Sequence, residues 1–479
     1  MTEPSEYYAD HNIRQRMTEF LGGRSLETAT AVYVAPCYPA FYYDRDQRNP
    51  VDMPEFWQAG LDTARSLWDH NSLIVHLDIE YVNFDYPAEP YLDPGRSLSL
   101  QKSVVSACRK YFRDLGITDM HVLSGRGHHF IWRIPLDSNP CLRLSEIGHV
   151  PEHVLSYYEH AVSPGGYTVS AELARSFAGL GLIMEFLGAR IQSRAALSTP
   201  VPVTLSAVRV GPQQRGREVV AVDISEYGDP LNTRIIRIPF SAYSKHKRNS
   251  SIRGVMEEKG CPDIFSIPLQ NITEEEGMCV MRDDQQVRGL AAASSLFIPE
   301  SLEGTSALID EYERSDRAGV HQWFYGCEPE PPEKWPETYD LQPLDIVPEC
   351  IRYIMEHPND CLLKPEKIRQ VVLAFLALGW HPRHIAGLIR SKYERDHDWG
   401  RQWYLYDAAT RADFYVRLFT AQIAVGEDDA PDFNCLSAKE KQCCFCQPGS
   451  CRLDRFRDSL LKRRDHERLA CRPFNRLFL

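Results

Sequence analysis

Residues 72–81, which read SLIVHLDIEY, constrain this chain more than any other stretch. The alternation is that of a β-strand, in which every second side chain shares a face. Val75, Leu77, Ile79 and Tyr81 fall on one side, with His76, Asp78 and Glu80 on the other. Asp78 and Glu80 repel one another there, and something must offset the repulsion. Solvent does so on a half-exposed strand with a polar outer face. Divalent cations bound by carboxylate oxygens and bridging to phosphate do so in a catalytic site.

A second constraint lies at residues 122–135, VLSGRGHHFIWRIP. Two glycines bracket Arg126, which allows a tight turn where backbone approaches a ligand closely. Ser124 and Arg126 offer donors to phosphate oxygens, Arg126 in bidentate fashion. In the strand that follows, His129, Ile131 and Arg133 share one face and His128, Phe130, Trp132 and Ile134 the other. At most one of the adjacent histidines therefore faces a site, and the other is a packed side chain. A third stretch, residues 218–225 (EVVAVDIS), alternates with Asp223 on one face. It is followed at residues 234–248 by RIIRIPFSAYSKHKR. The swing from acid to base suits a carboxylate followed by groups that grip a triphosphate, Arg237, Ser241 and Lys245. An ordinary strand ending in a solvated basic loop has the same composition.

Together these stretches resemble the catalytic core of the archaeo-eukaryotic primase superfamily. Asp78-Ile79-Glu80 is similar to its first motif, an apolar strand ending in Asp-hydrophobic-Asp/Glu. Ser124-Gly125-Arg126-Gly127-His128-His129 is similar to the second, which assigns His129 to the nucleotide and leaves His128 structural. Asp223, followed by Arg237-Ile238-Pro239-Phe240-Ser241 and then Lys245, is similar to the third. Tyr243 departs from it, standing where the small catalytic subunits often carry a histidine. The long interval between the second and third motifs, residues 136–218, implies a helical insertion.

The resemblance implies an RRM-like core with two Mg²⁺ or Mn²⁺ ions held by Asp78, Glu80 and Asp223. It also implies Ser124, Arg126, His129, Arg237, Ser241 and Lys245 on the nucleotide side. The expected activity is DNA-templated nucleotidyl transfer, that of a primase or primase-polymerase using NTPs or dNTPs on a single-stranded DNA template, with a helicase or accessory subunit as a possible partner. A gap-filling or lesion-bypass polymerase that cannot start a chain is the alternative, as is a non-catalytic nucleic-acid-binding protein. Sugar preference depends on packing around the 2′-position and is not legible in sequence.

The chain as a whole reads as α+β. Strand-like runs at residues 31–35, 72–81, 128–135, 201–210, 218–225 and 234–240 mix with helix-like stretches at 56–70, 101–115 and 170–192. Residues 1–250 are expected to form the catalytic domain and 251–327 a decoration upon it. Residues 328–344, EPEPPEKWPETYDLQPL, suit an extended linker. Beyond it residues 345–479 turn helical. Pro365 opens one helix, Gly379 caps it, and Pro382 opens another through about residue 393, a pair that belongs to a helix-turn-helix or to a bundle.

Of 14 cysteines, five fall within residues 435–451. Cys435, Cys443, Cys446 and Cys451 give the spacing C-x7-C-x2-C-x4-C, which favours a metal, Zn²⁺ by its compactness and an iron–sulfur cluster otherwise. A helical domain bearing a cysteine-rich metal knob is thus expected at the C-terminus. The tail after it carries 11 Lys/Arg against 5 Asp/Glu over residues 439–479, in a chain of net charge −12. Such a tail lies against phosphates or is a solvated helix face. The polar N-terminal sequence and the lack of a long apolar run lead us to expect a cytoplasmic protein with no membrane partner.

Overall fold

The computed structural model describes residues 4–37, 47–161, 163–206, 218–358, 362, 364–393, 408–427, 444 and 451–469. They fall into two compact units. One holds residues up to 206 together with 218–311, and the other the described residues from Tyr312 onward. Residues 251–311 thus belong to the first unit, and part of them extends its sheet.

The architecture is mixed α+β. Among the described residues nine strands run in chain order: β1 (Val34–Pro36), β2 (Thr63–Ser66), β3 (Ser72–Asn83), β4 (Met120–Leu123), β5 (Gly127–Pro135), β6 (Val203–Leu205), β7 (Glu218–Asp223), β8 (Ile235–Arg237) and β9 (Ile267–Pro268). The main sheet has the order β6-β7-β3-β5-β4-β9, and a smaller one the order β1-β2-β8. β3 is central. It pairs antiparallel with β5 from Ser72↔Pro135 to Glu80↔Gly127, and with β7 from Asp78↔Asp223 to Asn83↔Glu218.

Directly opposed residues share a face, so Leu77 joins Phe130 and Val75 joins Trp132. The helix α1 (Pro94–Leu115) covers this face, setting Phe112 edge-on to Phe130 and Trp132 at 5.6 and 5.4 Å. Its start is written into the chain: Asp93 accepts from the Arg96 amide, Pro94 takes the first helical position, and Gly116 ends it at φ 72°. Two more helices, α2 (Asn139–Ile147) and α3 (Ala171–Ala195), pack together between the second and third motifs. Their contact needs glycine, since a Cβ at Gly179 would stand 2.0 Å from the Leu144 carbonyl oxygen.

Two expectations fail locally. Residues 56–70 are not one helix. A short helix, Met53–Gln58, stops at Gly60, which takes φ +65°, and β2 follows. The apolar spacing there serves two elements of different period. Nor do residues 328–344 run as an open tether. They wind into the 3₁₀ turns Pro332–Glu337, Tyr339–Leu341 and Leu344–Ile346. Trp335 and Tyr339 are buried there, and Trp335 donates 2.9 Å to the Glu330 carbonyl, so the aromatic residues anchor what the prolines bend.

The second unit is helical, with α4 (Asp316–Tyr325), α5 (Glu349–Glu356), α6 (Pro365–Ala377), α7 (Pro382–Tyr393), α8 (Ala408–Ala424) and α9 (Leu453–Leu469). Gly379 takes φ +83° between α6 and α7, and both pack on α8, which makes the pair part of a bundle. Among the described residues no helix is long and apolar enough to cross a membrane.

Candidate active site

The face of β3 away from α1 carries the acids. Its histidines are buried, His76 at 5 % and His129 at 8 % exposure, while the Asp78 and Glu80 side chains keep 17 and 16 %. Register alone assembles the centre. Asp78 lies directly opposite Asp223 on one flank and His129 on the other. His129 Nε2 stands 3.6 Å from Asp78 Oδ1, an oxygen with no hydrogen-bond partner among the described residues. Burial, then Glu80 and Asp223, push the Asp78 carboxyl well above its ordinary range. Burial also opposes ionisation of Glu80, but Arg126 and Lys245 outweigh it and hold that carboxyl below its usual range. Arg126 pairs directly with Glu80. Asp223 is anchored as well, its Oδ1 accepting from the Ser225 amide at 2.9 Å.

The turn before β5 needs both glycines. A Cβ at Gly127 would lie 2.1 Å from the Ile79 carbonyl oxygen, and one at Gly125 would lie 2.5 Å from the Tyr243 ring. The first lets β5 reach Glu80; the second lets Tyr243 close over the turn. Ser124 Oγ points inward, donating 3.2 Å to the Gly127 carbonyl. His128 faces the other way, bonded at 3.0 Å to His121 Nε2. Burial, then His76 and Arg237, hold His129 well below the usual histidine value, which leaves its ring neutral near pH 7.

The third motif delivers cations and loses its serine. Arg237 donates to Asp62 Oδ2 at 3.2 Å and to the Ala242 carbonyl at 2.7 Å, with its guanidinium 4.5 Å over the Tyr243 ring. Lys245 is depressed first by Arg126 and then by burial, a sign of how closely these cations are grouped. Ser241 does not join them. It is 0 % exposed, and its Oγ accepts from the Thr63 amide at 2.7 Å, tying β2 to the segment. Phe240 sits beside it at φ +65°, an uncommon conformation for a bulky residue. Tyr7 holds that residue by donating 2.9 Å to its carbonyl, and the Phe240 amide donates 2.6 Å to the Ser266 carbonyl.

Several contributors escape a motif-based reading. His76 shares the acidic face, its ring 4.7 Å from that of His129, and both oxygens of Glu226 reach its Nδ1 at 2.9 and 3.0 Å. Tyr227 Oη accepts from the His76 amide at 3.1 Å and donates to its carbonyl at 2.8 Å. Asp62, 1 % exposed, accepts from both the amide and the hydroxyl of Ser244 at 2.7 Å. Only the position of His76 on the strand face signalled any of this.

For metals, the donor chemistry at β3 fits hard divalent ions. It offers carboxylate oxygens on adjoining strands and a buried Asp78 oxygen without a partner. Among the described residues, however, no three His, Cys, Asp or Glu side chains are already gathered to hold an ion. Arg126 and His129 stand against the acids instead. Cys435, Cys443 and Cys446 lie outside the described residues. Cys451 is described, and with Cys444 it neighbours Cys350 near the start of α5, whose thiol is pushed up to about 12 by burial and then by those two. Arg452 lies 4.0 Å from Asp345 on the same stretch. Cys350 was missed because nothing in local spacing links it to residues 444–451. Comparison with known proteins finds no match: no family model, no curated protein and no solved structure resembles this chain.

Proposed function

We propose that the chain is a metal-dependent nucleotidyltransferase that makes or extends a strand on single-stranded DNA, as a primase or primase-polymerase does. The observation that carries this reading is the register that sets Asp78 between Asp223 and His129, with Glu80 two residues on. Asp78, Glu80 and Asp223 would hold Mg²⁺ or Mn²⁺. Bound there, such ions activate a 3′-hydroxyl and stabilise charge on the departing pyrophosphate.

The side chains around them bind and orient. Arg126 and Arg237 both depress Lys245, which puts three cations within electrostatic reach of one another for a triphosphate to neutralise, and Arg126 is committed to Glu80 until a stronger anion draws it away. That exchange frees the Glu80 carboxylate as the nucleotide arrives. Neutral His129 offers one ring nitrogen to a phosphate oxygen without adding charge. Tyr91 and Tyr243, with hydroxyls 3.3 Å apart, pack beside the cations, the Tyr243 ring under the Arg237 guanidinium. Ser124 acts through the shape of the turn, and Ser241 serves as a strut.

The test is incubation with unprimed and, in parallel, primed single-stranded DNA, Mg²⁺ or Mn²⁺, and NTPs or dNTPs separately. Product on unprimed template supports priming, and product only with a primer supports extension alone. No product under any of these conditions overturns the reading. For the cysteine-rich segment the reading is a four-thiolate Zn²⁺ site at Cys435, Cys443, Cys446 and Cys451, with Cys350, beside Cys444 and Cys451, as a substitute for one of them. Elemental analysis of purified protein decides it, since iron with visible absorbance means an iron–sulfur cluster instead.

A further inference from the structure

Helix α1 has a second surface that the carboxylate site leaves unused. Its inner side packs Phe112 on the sheet, while its outer side turns Lys102, Ser106 and Lys110 to solvent. Residues four apart stack along one helix face, so these three form a rail about 12 Å long at 1.5 Å per residue. The far bank is supplied where α3 ends, by Arg194 and Ser198, and the groove between them has a volume of about 580 Å³. Ser103 Oγ donates 2.7 Å to the Ser198 carbonyl and ties the two banks together.

Its charge is unlike that of the chain. Lys102 and Lys110 have no ion pair among the described residues, whereas Arg194 is fixed 4.1 Å over the Tyr111 ring and stands 3.5 Å from Asp114. Asp114 is the one acid lining the groove, set against three cations, in a chain of net charge −12. Beside Ser198, Leu197 is 100 % exposed. Lys102 and Lys110 are separated along the helix by more than one phosphate group spans, and the Ser106 hydroxyl between them is a donor that a phosphodiester accepts. Gln101, buried on the inner side of the helix just before Lys102, donates 3.0 Å to the Arg126 carbonyl, so this end of the rail stands over the glycine turn.

The geometry points to this groove as a binding site for the sugar–phosphate backbone of a single-stranded nucleic acid, with Leu197 against an unpaired base. The inference rests on the reading of the chain as a nucleic-acid enzyme for its choice of polyanion, and it adds a strand contact on the far side of the sheet from the carboxylates. Successive phosphates lie along Lys102, Lys110 and Arg194, and the strand leads toward the glycine turn at Arg126.

Fluorescence anisotropy with a labelled oligothymidylate tests it, comparing wild type with Lys102→Gln/Lys110→Gln between about 50 and 200 mM salt. Loss of two phosphate contacts lowers the slope of log K against log salt by about 1.4, at about 0.7 per contact on a single strand, and weakens binding roughly tenfold at the low-salt end. Both lysines are exposed, so the variant melts as wild type does. Leu197→Ser weakens binding about threefold without changing the slope. A double variant that keeps the wild-type slope overturns the groove, as does a wild type that binds no oligonucleotide. Strand synthesis is measured in parallel. Synthesis with an unchanged slope sinks the groove alone, whereas a lowered slope in a protein that synthesises nothing sinks the carboxylate reading alone.

Discussion

The two faces of β3 hold the chain by opposite means, one fully buried and the other partly open at its acids. Toward α1, Leu77, Phe130, Trp132 and Phe112 interlock as apolar surface, each side chain finding partners. On the other face Asp78 meets Asp223 and Glu80, and buried atoms of His76, Asp78 and His129 lack hydrogen-bond partners among the described residues. The first face stabilises the fold. The second costs stability, and a cost of this kind persists where the arrangement has another use. Substitutions on the acid face should therefore cost activity, and those on the apolar face stability.

The sharpest break is expected at Asp78. Asp78→Ala lowers strand synthesis by roughly 10³-fold or more, about 4 kcal/mol, while the melting temperature holds or rises as the repulsion disappears. Wild-type-like extension by this variant would sink the assignment. On the opposite face Phe112→Ala destabilises by about 3–5 kcal/mol. Urea unfolding measures that, with kcat per folded molecule unchanged.

The paired histidines sharpen the contrast within two residues. His129→Ala costs roughly 10²-fold in kcat/KM with little loss of stability. His128→Ala spares the rate and costs about 1–3 kcal/mol through the bond to His121. Equal effects of the two on the rate would mean that β5 does not divide its faces between chemistry and packing. Gly127→Ala, whose Cβ collides with the Ile79 carbonyl, costs about 1–3 kcal/mol and lowers activity with it, since it pushes β5 away from Glu80.

The smallest effect is one of pH. A carboxyl whose folded pKa is raised, as burial raises that of Asp78, stabilises the fold only while protonated. That contribution is whole below about pH 3.9, the unfolded value, and is lost as pH rises through the folded value. In EDTA, Asp78→Asn therefore melts close to wild type in acid and increasingly above it toward neutral pH. A gap that narrows as pH rises contradicts the burial of that charge.

Much of this was legible where structure is local. The alternation at residues 72–81 puts His76, Asp78 and Glu80 on one strand face, as β3 does, and the paired glycines mark a close approach, of the Ile79 carbonyl and the Tyr243 ring rather than of a ligand. The helix-like stretch at 101–115 is the later part of α1, which Asp93-Pro94 starts seven residues earlier than the apolar spacing suggests. What stayed hidden is long-range. Glu226 reaches His76 across 150 positions, and Ser241 looks like a phosphate ligand until Thr63 is found beneath it. Residues 56–70 show an apolar spacing that a helix and a strand share between them, and only the turn at Gly60 tells them apart. Cys350 bears no pattern at all until α5 brings it beside residues 444 and 451.

The hydroxyl of Tyr227 has a consequence for solubility. β7 leaves the sheet after Asp223, and this would expose the amide and carbonyl of His76 as an open rung beside the acids. An open rung in a buried-type strand is a template for adding a foreign strand. Tyr227 fills both valences with one oxygen, so the sheet can end beside its most polar feature without presenting a sticky edge.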